Sequence, residues 1–167
     1  MSVAVISGNP RTGSRTAALA TDVGARVAAA TGLALGPVVD LAELGPAVLD
    51  PDDVRAAAAH DRAVGAAVLV VATPVYKGSY TGLLKSFLDR FAADALAATV
   101  VVPVVVAGSG ADAGAAAVHL RAVLAAVGGQ VVLPGVVTTE AALPEAARAV
   151  DLQRAALRRW VRSAVAA

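Results

Sequence analysis

The sequence contains no cysteine in its 167 residues. A chain without cysteine has no disulfide framework, no thiolate metal site and no cysteine nucleophile. Phosphatase chemistry on an anion-binding loop built around a cysteine is therefore excluded. We identify no other metal site from the sequence.

Aromatic residues are also scarce, at 3% of the chain, although 57% of the residues are hydrophobic. Alanine and valine must therefore build the interior, and large pockets lined by aromatic rings are not expected. A bound ligand would be held mainly by backbone groups and a few polar side chains.

The chain has little excess charge of either sign, because 14 basic and 13 acidic residues give a net charge of +1. This balance argues against a nucleic-acid-binding surface. It also argues against an electron carrier that docks through an acidic surface.

Long unbroken hydrophobic runs are missing as well, although the mean hydropathy is high at +0.70. The uncharged windows 95–111 and 122–139 are interrupted by Pro103, Pro134 and glycines. Neither window reads as about 20 unbroken apolar residues, and the amino terminus does not resemble a signal peptide. We expect a soluble cytoplasmic protein that does not enter a membrane.

Short β-branched runs alternate with longer alanine-rich segments along the whole chain, which predicts one domain over residues 1–167 with an α/β fold and a parallel sheet. The predicted strands are continuous apolar runs of the kind buried on both faces, at 3–7, 35–40, 67–72, 100–107 and 131–137. The second strand contains Gly36 and Pro37 and should lie near an edge. Helices are predicted at 14–30, 51–64, 81–93, 115–127 and 144–165.

Three loops that follow predicted strands have unusual sequences. The first is "SGNPRTGSRT" after strand 1, the second is "TPVYKGSYTG" after strand 3, and the third is "AGSGADAG" after strand 4. Ligands of open parallel sheets bind at the carboxyl ends of the strands, where the strand order reverses. In a sheet of order 2-1-3-4-5, all three loops would converge on one crevice.

The first loop suits a phosphate. Asn9, Ser14 and Thr16 offer side-chain donors, the helix that follows offers free amides, and Arg11 and Arg15 offer guanidinium groups. Ser14 stands where a nucleotide-triphosphate loop needs its lysine, and the second and third glycines of a dinucleotide loop are absent. A single phosphomonoester fits best, and a polar strand-to-helix turn with solvated arginines is the alternative.

The second and third loops suit a planar ring better than a phosphate. Pro74 fixes the backbone, Val75 offers a small apolar surface, and the following peptide groups can reach the polar edge of a flavin ring. We interpret Tyr80 as cover over a helix start or as a subunit contact. Gly108 and Ser109 of the third loop lie in a "GSG" turn that allows close approach of the backbone.

These stretches resemble the flavodoxin-like NAD(P)H-dependent FMN reductases, and the resemblance extends over nearly the whole chain. It rests on "GNPRTGSRT" after the first strand and "TPVYKGSYTGLLKSFLD" after the third. The second loop is most similar to reductases that supply reduced flavin to two-component monooxygenases of sulfonate and sulfone metabolism. The implied fold is a flavodoxin-like three-layer sandwich with a five-stranded parallel sheet of order 2-1-3-4-5.

The resemblance also implies a cofactor-binding set. The residues that would hold the FMN phosphate are Asn9, Arg11, Ser14, Arg15 and Thr16. Those that would border the ring are Pro74, Val75, Tyr76, Lys77 and Gly78. Hydride would pass from the nicotinamide of NADPH or NADH to the stacked flavin, so we assign no catalytic side chain and no general base.

Two other functions remain open on this fold. One is a reductase of quinones, azo compounds or chromate that keeps its FMN bound, and the other is a flavodoxin-type electron carrier, which the near-neutral charge disfavours. The apolar segment "YTGLLKSFLDRF" predicts a homodimer or homotetramer with Tyr80 and Phe87 at the interface. His119 lies in a predicted helix and is interpreted as an ordinary helix residue.

Overall fold

The computed structural model describes residues 1–166, without the side chains of 165 and 166, as five strands and eight helices joined by two short 3-10 turns. The strands are β1 Ser2–Ser7, β2 Ala34–Asp40, β3 Val68–Pro74, β4 Val100–Ala107 and β5 Val136–Thr139. The helices are α1 Arg15–Thr31, α2 Leu41–Leu44, α3 Val54–Val64, α4 Gly82–Leu88, α5 Gly110–Ala126, α6 Leu143–Ala146, α7 Ala149–Leu152 and α8 Arg154–Ala166.

The five strands form one parallel sheet in the order β2-β1-β3-β4-β5. One face packs against α1, α7 and α8, and the opposite face packs against α3, α4 and α5. Every residue of β3 and β4 is buried, as expected of central strands that are covered on both faces. The predicted three-layer sandwich and its strand order are confirmed.

The two edges of the sheet are β2 and β5. In β2 most residues are exposed or half-buried, and the strand contains Gly36 and Pro37. Proline is tolerated at an edge because no neighbouring strand there needs its missing N–H. The prediction that the second strand lies at an edge is confirmed.

The fifth strand begins later than predicted, because the backbone groups of Val131, Leu133 and Gly135 bond to side chains rather than to β4. The Arg121 guanidinium donates to the carbonyl oxygens of Val131 and Leu133, at 2.9 and 2.6 Å. Gln153 accepts from the Gly135 amide at 3.1 Å and donates to the Gly135 carbonyl at 2.8 Å. The predicted strand 131–137 is therefore wrong at its start and stops short of the observed end at Thr139.

Helix starts follow their capping side chains. Ser14 caps α1 and Thr81 caps α4, each by accepting from a backbone amide of the first turn, and each is the first residue of a predicted helix. The third helix begins after Asp53, which accepts from the amides of Arg55 and Ala56, and not at residue 51. The Arg55 guanidinium and the Ala56 amide lower the pKa of the Asp53 carboxyl.

Three further predicted helices have different limits. The helix predicted at 81–93 ends at Leu88, and the helix predicted at 115–127 begins at Gly110, because Ser109 caps it by accepting from the Asp112 amide. The helix predicted at 144–165 is divided into α6, α7 and α8. The last break lies at Gln153, whose side chain bonds to the backbone of Gly135.

The apolar segments that raised a membrane question belong to this sheet and its helices. Window 95–111 contains the buried strand β4, and window 122–139 runs from the end of α5 into β5. Within residues 1–166, no helix combines the length and the apolar character that a membrane span requires.

Candidate functional site

The first and second loops meet at the point where the strand order reverses, between β1 and β3. The Gly8 amide donates to the Ala72 carbonyl at 2.7 Å, and the Thr81 hydroxyl donates to the Gly8 carbonyl at 2.5 Å. A Cβ on Gly8 would lie 2.6 Å from the Leu84 Cβ, so only glycine fits there without a shift. The carboxyl end of β1 is thereby held against the start of α4.

Polar side chains of the first loop define its shape. Asn9 is buried; its Nδ2 donates to Thr16 Oγ1 at 3.1 Å and its Oδ1 accepts from the Arg11 amide at 3.0 Å. Ser14 Oγ accepts from the Ala17 amide at 3.1 Å. Three of the predicted phosphate ligands therefore also build the loop, while the Ser14 and Thr16 hydroxyls each retain a donor hydrogen.

The two arginines of the first loop have different surroundings. Arg15 Nη2 lies 2.8 Å from Glu140 Oε2, just after β5. The exposed Arg11 makes no ion pair with any residue in the described part of the chain. On the other side of the loop, the Gly13 amide points at Asp40 Oδ2 over a long 3.4 Å.

A buried hydroxyl at the base of the first loop was not anticipated from the sequence. Ser7, the last residue of β1, is fully buried, and its Oγ finds no hydrogen-bond partner among the described residues. Such a group costs about 1–3 kcal/mol unless a ligand or water satisfies it. The signal in the sequence is a hydroxyl residue closing an otherwise apolar strand. A donor set of hydroxyls, helix amides and arginine at this point fits a phosphate group.

Backbone hydrogen bonds define the second loop. Tyr76 and Ser79 exchange two bonds, with the Tyr76 amide donating at 2.9 Å and the Ser79 amide donating at 3.2 Å. The two residues between them, Lys77 and Gly78, both have positive φ angles, of 53° and 77°. This is the pattern of a type I′ turn, which glycine adopts freely and lysine only with strain.

The other residues predicted to border a ring lie along the same loop. Pro74 is buried as the last residue of β3, Val75 is half-buried, and Tyr76 is 43% exposed. The Val75 amide donates to the Val106 carbonyl at 2.9 Å, which ties the loop to β4. At its far end the Thr81 amide donates to the Thr73 hydroxyl at 3.2 Å.

The third loop lies next to the second, because β3 and β4 are neighbours. Gly108 is exposed and has open space where a Cβ would be, and the Ser109 hydroxyl donates to Asp112 Oδ2 at 2.7 Å. From α5, His119 Nδ1 lies 3.2 Å from Ser79 Oγ. The family resemblance places the helix of His119 near the flavin, but the pairing of His119 with Ser79 is not visible in the sequence, because the contact spans a crossover between strands.

One predicted interface residue is in the core. Phe87 is fully buried and packs edge-to-face on Phe91, with ring centroids 5.5 Å apart. Its assignment to a subunit interface is wrong, because Phe87 lies in the core cluster that also contains buried residues of α3 and α5. Tyr80 is half-buried and packs against the same core.

The strand order, the helices on both faces and the polar loop after β1 define a protein of the flavodoxin-like fold. The sequence model of the family described as NADPH-dependent FMN reductase matches residues 1–143. The chain belongs to this family. The family description names the two cofactors, FMN and NADPH, that the sequence predicts.

Known relatives agree with this placement. The chain is 44% identical over 68 residues to the FMN reductase (NADPH) of Escherichia coli strain K12. That stretch is 41% of this chain and spans only 36% of the relative's length. A solved NADH:FMN oxidoreductase superposes with a TM-score of 0.82 at 34% identity, over 97% of this chain and 89% of its own. An oxidoreductase from Corynebacterium diphtheriae superposes with a TM-score of 0.80 at 28% identity, over 99% and 96% of the two chains.

Proposed function

We propose that this protein is an NAD(P)H:FMN oxidoreductase that transfers hydride from a nicotinamide to FMN and supplies reduced FMN to a partner monooxygenase. The observation that carries the proposal is the meeting of the first and second loops at the switch point. The first loop, which suits a phosphate, and the second loop, which suits a ring edge, are joined there by the hydrogen bond from the Thr81 hydroxyl to the Gly8 carbonyl.

The first loop would hold the FMN phosphate. Arg11, Ser14 and the amides at the start of α1 would donate to the phosphate oxygens, and the buried Asn9 would keep the loop in shape by its bonds to Thr16 and Arg11. The orphaned Ser7 hydroxyl lies at the base of the same loop. Arg15 would join this set after leaving Glu140.

The second and third loops would border the isoalloxazine ring. Pro74, Val75 and Tyr76 supply its apolar side and peptide groups, Lys77 and Gly78 form the turn at its edge, and Gly108 and Ser109 lie on the neighbouring strand end. FMN supplies the hydride-accepting chemistry when it is bound. The residues of the chain would bind, orient and shield the two rings, so no catalytic side chain is assigned.

The choice of nicotinamide and the fate of the flavin belong to the same proposal. The curated relative is named for NADPH and the solved one for NADH, so either could be the electron donor. We propose that FMN is an exchangeable substrate, because few aromatic side chains are available to stack on its ring. The cytoplasm is the proposed location.

We also propose a homodimer or homotetramer, whose interface does not include the buried Phe87. Leu49 is 72% exposed and lines a groove of about 530 Å³ beside α3 and α4, and Val54 at the start of α3 is 78% exposed. Exposed apolar side chains around a groove are typical of contact surfaces. Light scattering at micromolar concentration tests this directly, and a monomer would contradict it.

The decisive test of the function is anaerobic turnover with FMN in excess over the enzyme, assayed with NADPH and with NADH. We expect protein purified with little flavin, saturable dependence on added FMN, and reduced FMN free in solution. Reduction of one equivalent of flavin per subunit that stays on the protein through gel filtration would contradict the two-component role. It would favour the reductase of quinones, azo compounds or chromate that retains its flavin.

A further inference from the structure

One of the two arginines of the first loop, Arg15, forms an ion pair with Glu140. Arg15 is the first residue of α1, and Glu140 begins the 3-10 turn directly after β5. Their side chains are 2.8 Å apart at the closest atoms and are 68% and 55% exposed. A pair this accessible to water is weak, so a ligand can displace it at small cost.

Carboxylates flank the first loop on both sides. Glu140 pairs with Arg15, and Asp40 at the end of β2 accepts from the Gly13 amide at 3.4 Å. Asp40 also accepts from the Ala42 amide at 3.2 Å and so begins α2. The two arginines and the two carboxylates cancel in formal charge, so these four side chains give the loop no net positive charge for a dianion.

From this geometry we propose that Glu140 competes with the flavin phosphate for Arg15 and thereby sets FMN affinity and exchange. The inference rests on the proposed function. Phosphate binding would take the Arg15 guanidinium from Glu140, and the pair would re-form as FMN leaves. Glu140 would thus set the affinity for FMN through its contact with Arg15, without contacting the isoalloxazine ring.

The expected effect is small but specific. Glu140→Gln keeps the side chain's size and removes the competing charge, so FMN should bind about 2- to 5-fold more tightly at low salt. The gain should shrink as ionic strength rises, because exposed charges are screened. Riboflavin, which has no phosphate, should bind as in the unaltered protein, and inorganic phosphate should compete more strongly with FMN.

Glu145→Gln is the matched control. Glu145 lies five residues further along the chain, and its exposed ion pair is with Arg148 and not with Arg15. The substitution makes the same change in net charge, so an effect of overall charge would be equal in both variants. We expect the affinity for FMN to be unchanged in Glu145→Gln.

A double-mutant cycle with Arg15→Gln separates competition from repulsion through space. If Glu140 acts by holding Arg15, Glu140→Gln should no longer tighten FMN binding once Arg15 is replaced. Equal tightening in both backgrounds, or equal effects of Glu140→Gln and Glu145→Gln, would overturn the inference. The proposed function fails separately, if the unaltered protein binds riboflavin as well as FMN or does not turn FMN over.

Discussion

The loops after β1 and β3 both leave the carboxyl-terminal end of the sheet, yet different chemical groups hold them in place. In the first loop the Asn9 side chain bonds to Thr16 and to the Arg11 amide, and Ser14 bonds to the Ala17 amide. In the second loop the turn is closed by backbone bonds between Tyr76 and Ser79.

This difference determines which substitutions each loop should tolerate. A loop built by side chains loses its shape when a polar group is removed, and it can lose its ligand at the same time. A loop built by backbone bonds tolerates changes of side chain, provided that the new residue accepts the same φ angle. The strongest tests therefore change a side chain in the first loop and a backbone preference in the second.

The largest effect is expected where the two loops touch. Gly8→Ala would place a Cβ 2.6 Å from the Leu84 Cβ, and the Gly8 backbone cannot move away without breaking its bonds to Ala72 and Thr81. We expect a loss of about 1–3 kcal/mol in the free energy of unfolding, measured by chemical denaturation. FMN binding should weaken as well.

Gly82→Ala is the control for that change. Nothing lies within 4 Å of a Cβ at Gly82, the first residue of α4, and alanine is the better helix former. The control should be as stable as the unaltered protein or more so. Equal stability of the two variants would mean that the first loop is not fixed against α4.

The second-largest effect is expected on the affinity for the FMN phosphate. Arg11→Ala should weaken FMN by about 10-fold or more, because a charge-assisted hydrogen bond is worth about 1.5–3 kcal/mol. Riboflavin affinity should change little, and Arg62→Ala, which removes an exposed arginine on α3, should change neither. Titration of both flavins by fluorescence measures this, and equal losses for FMN and riboflavin would mean that the phosphate lies elsewhere.

Much of the fold could be predicted from the sequence, because the central strands are continuous apolar runs. The predicted strand at 100–107 has the bounds of β4, and the helix at 14–30 lies within one residue of α1, whose cap Ser14 is a local signal. The fifth strand could not be predicted accurately. Its start depends on Arg121 of α5 and on Gln153 between α7 and α8, whose side chains bond to the backbone of Val131, Leu133 and Gly135.

For the candidate site, the sequence indicates the groups that are close along the chain and not those that come from distant elements. The polar residues of the first loop are adjacent in sequence, so their shared chemistry is visible without a structure. The contacts that come from elsewhere are not: Glu140 reaches Arg15 from beyond β5, and His119 reaches Ser79 from α5. The positive φ of Lys77 is also hidden, because lysine is not a residue that predicts it.

Replacement of Lys77 tests the second loop. Lys77→Asn and Lys77→Ala remove the same charge, but asparagine tolerates a φ of 53° better than alanine does. We expect Lys77→Asn to be more stable than Lys77→Ala by about 0.5–1 kcal/mol, as read from thermal or chemical denaturation. If the two variants are equally stable, backbone preference does not control this loop.

The smallest effect is expected at His119, whose Nδ1 lies 3.2 Å from Ser79 Oγ on an exposed surface. If backbone bonds hold the second loop, His119→Ala removes one exposed hydrogen bond worth about 1 kcal/mol or less, and FMN affinity should fall by less than about 5-fold. Val118→Ala, at an exposed neighbour on the same helix, is the control and should have no effect. Ser79→Ala should match His119→Ala, and the double variant should lose no more than either alone, because both changes remove the same bond. A loss above about 10-fold in His119→Ala alone would mean that a side chain on α5 positions the second loop, and the contrast between the two loops would no longer hold.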